Sequence, residues 1–125
     1  MPRILVTDDS QLTRRILRAI LMAQGHEVLE APSGSIALEM IAAENPDCVF
    51  LDLLMPDMDG FEVLNILSER GIRIPVVVLT ADIQETVREK CIKMGAVYFL
   101  NKPPKEEELS AAIRTALASQ KETPS

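Results

Sequence analysis

A single carboxylate, Asp52, ends an apolar run in the middle of the sequence. Residues 49–51 have the length and type of a strand buried on both faces, and a loop punctuated by Pro56 and Gly60 follows. A strand that stops at an acid places that acid at the rim of a sheet. Open α/β sheets bind ligands at the rim formed by the carboxyl ends of their strands. Taken alone, Asp52 is better interpreted as a solvated charge that ends a strand, so the residues at the other strand ends decide its meaning.

Polar side chains follow three other apolar runs at the same kind of position. Two acids follow the first run, a hydroxyl ends the fourth and an amine follows the fifth. In a parallel sheet the carboxyl ends of all strands lie on one edge, so these groups should converge there. The candidate site residues are Asp8, Asp9, Asp52, Thr80 and Lys102.

This combination of side chains suits phosphoryl chemistry. Two carboxylates ~5 Å apart repel by roughly 3 kcal/mol at an effective dielectric of ~20, so a cation or protons must neutralise three of them. Oxygen ligands favour Mg²⁺, which keeps several waters and shares a phosphate oxygen. Lys102 can pair with a phosphate, Thr80 can donate a hydrogen bond to it, and a carboxylate beside a metal can attack phosphorus. The pattern predicts an aspartate that accepts a phosphoryl group.

Five apolar strands alternate with five amphipathic helices along the chain. This order predicts a parallel sheet with helices on both faces. The second strand is the most polar and is expected at an edge, whereas the fourth is almost entirely apolar and is expected in the interior. The predicted strands are residues 4–6, 27–31, 48–52, 75–80 and 97–100.

The helices are predicted from their apolar spacing and their ends. Ser10 can cap the first helix, and Gly25 can end it in a left-handed conformation. Residues 120–125 are expected to be a frayed tail. The expected apolar faces are Leu12, Ile16, Leu17, Ile20 and Leu21 in the first helix, Ile36, Ala37, Met40 and Ile41 in the second, Phe61, Leu64 and Leu67 in the third, Ile83, Val87, Cys91 and Met94 in the fourth, and Leu109, Ile113, Ala116 and Leu117 in the fifth.

Length and composition indicate one cytoplasmic domain over residues 1–125. Apolar residues make up 47% of the chain, enough for a full core. The net charge of −6 argues against nucleic acid as a partner, and no apolar run is long enough for a membrane span. No signal peptide is evident, and Cys48 and Cys91 are expected to be buried free thiols in a reducing compartment. His26 is expected to be a solvated loop residue.

Four motifs in order closely resemble the receiver domain of bacterial two-component response regulators. They are Asp8-Asp9, Asp52-x-x-Met55-Pro56-x-x-Asp59-Gly60, Leu79-Thr80-Ala81, and Gly95-Ala96-x-x-x-Leu100-x-Lys102-Pro103, and the resemblance covers residues 3–119. It implies a single-domain, flavodoxin-like (βα)5 fold with a five-stranded parallel sheet in strand order 2-1-3-4-5.

The resemblance also implies a role for each site residue. Asp52 looks like the phosphoacceptor for a sensor histidine kinase or a histidine phosphotransfer protein. Thr80 and Lys102 look like the groups that hold the phosphoryl oxygens. The implied Mg²⁺ ligands are Asp9, Asp52 and the backbone carbonyl of Leu54, with Asp8 acting largely through water.

The resemblance further implies an output surface. Phe99 occupies the family's aromatic switch position, and the small Ala81 leaves room for Thr80 to move toward a phosphate. The face made by the fourth helix, fifth strand and fifth helix would then change for a downstream protein partner. Leu54 and Asp82 occupy variable positions that resemble those tuning the lifetime of the phosphoryl group. We expect a monomer or a weak dimer that assists its own phosphorylation and dephosphorylation and is not a turnover enzyme.

Three other functions are weighed against this switch. A Mg²⁺-dependent phosphatase of the haloacid-dehalogenase type would want a second acid two residues after its nucleophile, where Leu54 stands. An interaction scaffold that is never phosphorylated would not need the acids, Thr80 and Lys102 together. A flavin carrier is disfavoured because the acidic loop after the first strand would repel the phosphate of the cofactor.

Overall fold

The computed structural model describes the backbone of residues 1–122 and the side chains of residues 1–119. Five strands form one parallel sheet in the order β2-β1-β3-β4-β5, and helices connect successive strands. The strands are β1 (Arg3–Thr7), β2 (Glu27–Ala31), β3 (Cys48–Leu51), β4 (Val76–Thr80) and β5 (Tyr98–Asn101). The helices are α1 (Gln11–Ala23), α2 (Gly34–Glu44), α3 (Gly60–Glu69), α4 (Glu85–Lys93) and α5 (Glu106–Glu122).

The sheet has the parallel, flavodoxin-like architecture and the strand order predicted for it. The polar β2 lies at an edge, and all five residues of β4 are buried between β3 and β5. The register pairs Thr7 with Leu51 and Thr80 with Asn101, so the strands end close to one another. Residues that follow these ends must therefore lie along one rim.

Two apolar layers cover the two faces of the sheet. Alternate residues of each strand point to opposite faces. Leu5 and Leu51 face the layer covered by α2, α3 and α4. Val6 and Phe50 face the layer covered by α1 and α5. This packing holds the strand ends rigid from both sides.

Side-chain caps and left-handed residues mark the ends of several helices. The Ser10 hydroxyl accepts a hydrogen bond from the Thr13 N–H at 3.2 Å, which caps α1. Gly25 ends α1 with a φ of 91°. Asn45 takes a left-handed conformation before Pro46, and the Asp59 carboxylate caps α3. Both predicted ends of the first helix are confirmed.

Four residues predicted on the buried faces of helices are exposed, and those predictions are wrong: Leu12, Ile16, Ile36 and Ile83. Leu12 and Ile16 are exposed, because α1 packs on the sheet through Leu17 and Leu21. Ile83 lies outside α4 and is 81% exposed. The Asp82 carboxylate accepts the Gln84 N–H at 2.9 Å, and this turn delays the start of α4 until Glu85.

His26 lies in the loop between α1 and β2, as predicted, but it is half-buried rather than solvated. Its Nδ1 atom is inaccessible to solvent and has no hydrogen-bond partner among the described residues. Burial lowers the pKa of His26, and the N-terminal ammonium lowers it further. At neutral pH the uncharged imidazole is therefore the favoured form of His26 in the folded chain.

Cys48 and Cys91 are buried free thiols, as predicted. Burial raises the pKa of Cys48 to about 12, which leaves its thiol protonated and unreactive. Helix α5 continues to Glu122, and residues 123–125 of the predicted frayed tail lie outside the described residues. Within residues 1–122, every helix is too short or too polar to cross a bilayer.

Candidate functional site

Four of the five side chains predicted to converge meet at the carboxyl edge of the sheet, namely Asp8, Asp9, Asp52 and Lys102. The Lys102 ammonium lies 2.6 Å from Asp8 Oδ2 and 3.0 Å from Asp52 Oδ2. One carboxylate oxygen from each of Asp8, Asp9 and Asp52 lies within 4.8 Å of the other two. Asp8 and Asp52 are buried, whereas Asp9 is exposed. Three carboxylates and one ammonium group therefore lie together at this edge of the sheet.

Backbone hydrogen bonds continue past the strand ends and place the two buried acids. The Asp52 N–H donates to the Thr7 carbonyl at 3.0 Å, and the Asp8 N–H donates to the Ala31 carbonyl at 3.1 Å. Beyond β1, the Ser10 N–H donates to Asp8 Oδ1 at 2.9 Å. The acid positions are therefore set by the sheet itself rather than by a free loop.

Arg14 supports the acidic loop, and sequence reasoning missed this role. Its Nη1 donates to the Asp8 carbonyl at 2.7 Å, and its Nε donates to Glu30 Oε1 at 3.2 Å. The acceptor on Asp8 is its backbone carbonyl, and because every residue has one, the residue types alone do not predict this contact. Only the placement of a cation on the polar side of α1 could have drawn attention to Arg14.

The loop after Asp52 is folded tightly against the end of β3. The Gly60 N–H donates to the Leu53 carbonyl at 3.0 Å. A Cβ atom at Gly60 would lie 2.7 Å from the Asp52 carbonyl oxygen and 2.9 Å from Leu53 Cα. Only glycine fits there, since the neighbouring atoms are backbone. Met55, in the same loop, is buried in the apolar layer under α2, α3 and α4.

Leu54 lies on the open side of the loop. Its side chain is 67% exposed, and its N–H donates to Asp52 Oδ1 at 3.3 Å. The bond orients the Asp52 carboxylate and leaves Oδ2 for Lys102. An apolar side chain therefore stands at the mouth of the site.

Thr80 lies at the neighbouring strand end, but its hydroxyl is engaged elsewhere. The residue is fully buried, and Thr80 Oγ1 accepts the Asp82 N–H at 3.3 Å. The Lys102 N–H donates to the Thr80 carbonyl at 2.9 Å, which ties the two site residues through the backbone. Phe99 is half-buried and packs against the layer under α2, α3 and α4.

Opposing effects act on the charges of the Lys102–Asp52 pair. Burial raises the pKa of Asp52, and the hydrogen bond and charge of Lys102 offset only part of that rise while Asp8 adds to it. Burial by itself lowers the pKa of Lys102, but the hydrogen bonds with Asp8 and Asp52 outweigh burial and raise it. A single ammonium thus faces two buried carboxylates, and the group retains an excess of negative charge.

The three acids fit a hard divalent cation. They offer only oxygen ligands, two of them buried and fixed by backbone hydrogen bonds, and the exposed Asp9 leaves a side open for water. This matches the preference of Mg²⁺ for a few carboxylates with several waters retained. Asp8, Asp9 and Asp52 are positioned for such an ion. The Leu54 carbonyl as a further ligand stays a prediction.

The fold and the site define a doubly wound α/β protein with an acidic centre at the carboxyl edge of its sheet. The family described as the response regulator receiver domain matches residues 4–114. The chain belongs to this family of signalling domains of two-component systems, and the predicted resemblance is confirmed. Membership also speaks against the turnover phosphatase, since a receiver is a signalling domain.

Relatives and solved structures agree with this assignment. The response regulator MprA of Mycobacterium ulcerans is 43% identical over 115 residues, which are 92% of this chain and 50% of the relative. The chain spans about half the length of the curated relatives it matches. A response regulator receiver domain protein from Clostridium thermocellum has a TM-score of 0.90 and 28% identity, covering 97% of this chain and 98% of that one.

One comparison bears on nucleic acid. A DNA-binding response regulator of the LuxR family from Staphylococcus aureus has a TM-score of 0.86 and 25% identity, covering 94% of this chain and 99% of that one. A fold of this kind therefore occurs in a protein described as DNA-binding. The expectation that nucleic acid plays no part, which rested on the net charge of −6, is not supported.

Proposed function

We propose that the chain is a phosphorylation-controlled switch that accepts a phosphoryl group on Asp52. The donor is a phosphohistidine on a sensor histidine kinase or a histidine phosphotransfer protein, and Mg²⁺ is required. The observation that carries this proposal is the pairing of Lys102 with Asp8 and Asp52 at 2.6 Å and 3.0 Å, on a buried rim that retains excess negative charge. Such a group of acids is built to take up a cation and then a charged ligand.

The metal would be held by Asp8, Asp9 and Asp52, with the Leu54 carbonyl as a further ligand. When bound, Mg²⁺ supplies a positive charge that neutralises the acids and the oxygens of an incoming phosphoryl group. The backbone hydrogen bonds to Asp8 and Asp52 hold the two buried carboxylates in place, so little reorganisation is required on binding.

The transfer moves the phosphoryl group from a histidine nitrogen to an oxygen of Asp52. A carboxylate oxygen of Asp52 forms a bond to phosphorus, the P–N bond of the phosphohistidine breaks, and its electron pair stays on the imidazole nitrogen. Lys102 exchanges its contact with Asp52 Oδ2 for the phosphoryl oxygens. The Thr80 hydroxyl donates a hydrogen bond to another phosphoryl oxygen after it moves toward Asp52.

A donor protein must reach a buried carboxylate, so it has to dock over the rim. An apolar groove of about 150 Å³ beside Lys102 offers a surface for it, between α1 and the residues after β5. Ile16 and Pro104 line this groove, and Leu12 is exposed nearby on the same helix. Exposed apolar surface next to a functional site is typical of a protein contact.

The output is a change in the face formed by α4, β5 and α5. Phe99 on β5 is half-buried, so part of its ring is still open to solvent and would be buried if the ring turned inward when Thr80 moves. A downstream protein target reads the altered face. The protein works in the cytoplasm as a monomer or weak dimer, and its two free thiols suit that compartment.

Intact mass after incubation with acetyl phosphate and Mg²⁺ tests the proposal. The expected result is one labile phosphoryl adduct on the wild-type chain, absent with a chelator and absent in Asp52→Asn. Asp57→Asn is the matched control, because Asp57 is an exposed acid of the same loop and should leave the adduct unchanged.

Three outcomes contradict the proposal. Continuous turnover of added phosphate esters without an adduct would favour the phosphatase. Neither adduct nor turnover would favour the scaffold, and an adduct that persists in Asp52→Asn would remove Asp52 as the acceptor.

A further inference from the structure

Asn101, the last residue of β5, reaches across to the loop that follows β4. Its Nδ2 donates to the Asp82 carbonyl at 2.9 Å and, at 3.4 Å, to the Thr80 carbonyl. Asn101 pairs with Thr80 in the sheet register. Its side chain therefore continues the hydrogen bonding between the two segments beyond the last pair of strand residues. The side chain itself is exposed and is not part of the core.

The loop it holds has few other restraints. Ala81, Ile83 and Gln84 are exposed, so residues 81–84 bury little apolar surface. The hydrogen bonds of Asp82 within the loop go to Thr80 Oγ1 and to the Gln84 N–H. Within the described residues, the amide of Asn101 is the group that ties this loop to another strand.

Thr80 and Asn101 are connected through Asp82. The Asp82 N–H donates to the Thr80 hydroxyl, while the Asp82 carbonyl accepts from Asn101. The Thr80 carbonyl accepts the Lys102 N–H, which holds the Thr80 backbone in place. A Thr80 hydroxyl that moves toward Asp52 while it keeps its hydrogen bond with Asp82 draws the Asp82 N–H with it. Asp82 then shifts, and its bond with Asn101 is lost or weakened.

We propose that Asn101 is a positioning residue that holds the β4–α4 loop in its unphosphorylated place and so opposes the movement of Thr80. The proposal rests on the proposed phosphorylation of Asp52. A contact that exists in only one of two states shifts the equilibrium toward that state. Removing the Asn101 amide should therefore raise the fraction of chains that are ready for a phosphoryl group, and the apparent affinity rises with that fraction.

The test measures the affinity for beryllium fluoride, a phosphoryl mimic, in the presence of Mg²⁺ by ¹⁹F NMR titration. Asn101→Leu keeps the size of the side chain and removes its donors. The dissociation constant should fall by about 3- to 10-fold, the effect of one or two net hydrogen bonds. Asn101→Gln, which keeps the amide, should bind closer to wild type.

Asn65→Leu is the matched control, because Asn65 is an exposed asparagine whose amide donates to Glu69 at 3.1 Å, away from the site. It should leave the affinity unchanged. If Asn101→Leu does not fold, as judged by thermal melting, Asn101→Ala gives the same comparison. A merely structural role would weaken binding rather than tighten it.

The outcomes separate the two proposals. If the wild-type chain binds the mimic and the folded Asn101→Leu variant binds it equally or less tightly, the role of Asn101 is overturned and the switch stands. If the wild-type chain with Mg²⁺ does not bind the mimic and acetyl phosphate forms no adduct, the switch is overturned and the role of Asn101 falls with it.

Discussion

The Lys102 ammonium lies between the carboxylates of Asp8 and Asp52 and neutralises part of their negative charge. Without it, an incoming cation would be the only positive charge between them. One ammonium between two buried carboxylates makes the metal-free site tolerable, yet it also competes with a second positive charge. The residue therefore has two effects of opposite sign. It should lower the affinity of the acids for a metal, and in the proposed switch it would supply a partner for the phosphoryl group.

Lys102→Met separates these effects. Removing a unit charge ~5 Å from a cation site relieves a repulsion of up to roughly 3 kcal/mol at an effective dielectric of ~20, so Mg²⁺ should bind about tenfold tighter or more. The same variant should lose most of its phosphorylation by acetyl phosphate. Calorimetric titration with Mg²⁺ measures the first effect, with the exposed Lys105→Met as control. Weaker Mg²⁺ binding in Lys102→Met would refute the competition.

Leu54 sets a second prediction at this scale, the lifetime of the phosphoryl group. Its apolar side chain is exposed at the mouth of the site and cannot orient an attacking water. Leu54→Asn places a donor and acceptor there, so the phosphorylated chain should lose its group faster. The decay of the intact-mass adduct after removal of the donor gives the rate. An unchanged or slower decay would count against this role of Leu54.

At the scale of elements, the site depends on how closely α3 approaches the end of β3. Gly60 begins α3 and lies against the backbone of Asp52 and Leu53. The Asp59 carboxylate caps the same helix by accepting the Glu62 N–H at 2.9 Å. Loop, cap and close packing together set the direction in which Asp52 leaves the strand.

Gly60→Ala should disturb this junction. The added Cβ would lie 2.7 Å from the Asp52 carbonyl oxygen, and relieving the overlap must move backbone. Overpacking of this kind lowers the free energy of unfolding by about 1–3 kcal/mol, which urea denaturation can measure. Phosphorylation by acetyl phosphate should also slow, because Asp52 is displaced.

Gly71→Asn is the control for that change. Gly71 has a φ of 67° and open space around its Cβ position, and asparagine tolerates this conformation. The left-handed backbone carries some strain with any side chain, so Gly71→Asn should lower the stability, but by less than Gly60→Ala. Equal losses of stability in the two variants would show that the close approach at Gly60 is not the reason.

At the scale of the whole molecule, the amino edge of the sheet carries a pH-dependent contribution to stability. His26 follows the glycine that ends α1, and its backbone N–H donates to the Leu21 carbonyl at 3.1 Å. Burial lowers its pKa in the folded chain below the ordinary value of 6.5. The unfolded chain therefore binds a proton on His26 more readily than the folded chain does.

The sign of the effect follows from linkage. Where the unfolded state binds more protons, stability rises with pH, so the free energy of unfolding should fall as pH drops through 6.5 toward the folded pKa. His26→Gln removes this group, and its stability should vary less with pH across that window. Urea denaturation above and below pH 6.5 measures both chains. Identical pH dependence of the two would exclude His26 as the cause.

The sequence by itself determined the order of elements and the rim on which the chemistry lies. Alternating strands and helices force a parallel sheet, and parallel strands bring the residues after each carboxyl end to one edge. Asp8, Asp52, Thr80 and Lys102 could be assigned to that edge for this reason alone. The residue type at each strand end can be read from the sequence, and the parallel arrangement of the strands brings these residues close together.

Only the tertiary structure decided which of these groups touch and what supports them. Arg14 and Asn101 act on backbone carbonyls of Asp8 and Asp82, and a carbonyl has no identity in a sequence. The exposure of Leu12 was likewise invisible, because apolar spacing shows which residues share a face of α1 but not how far the sheet extends beneath it. Side-chain contacts across the sheet depend on distances that no periodicity encodes.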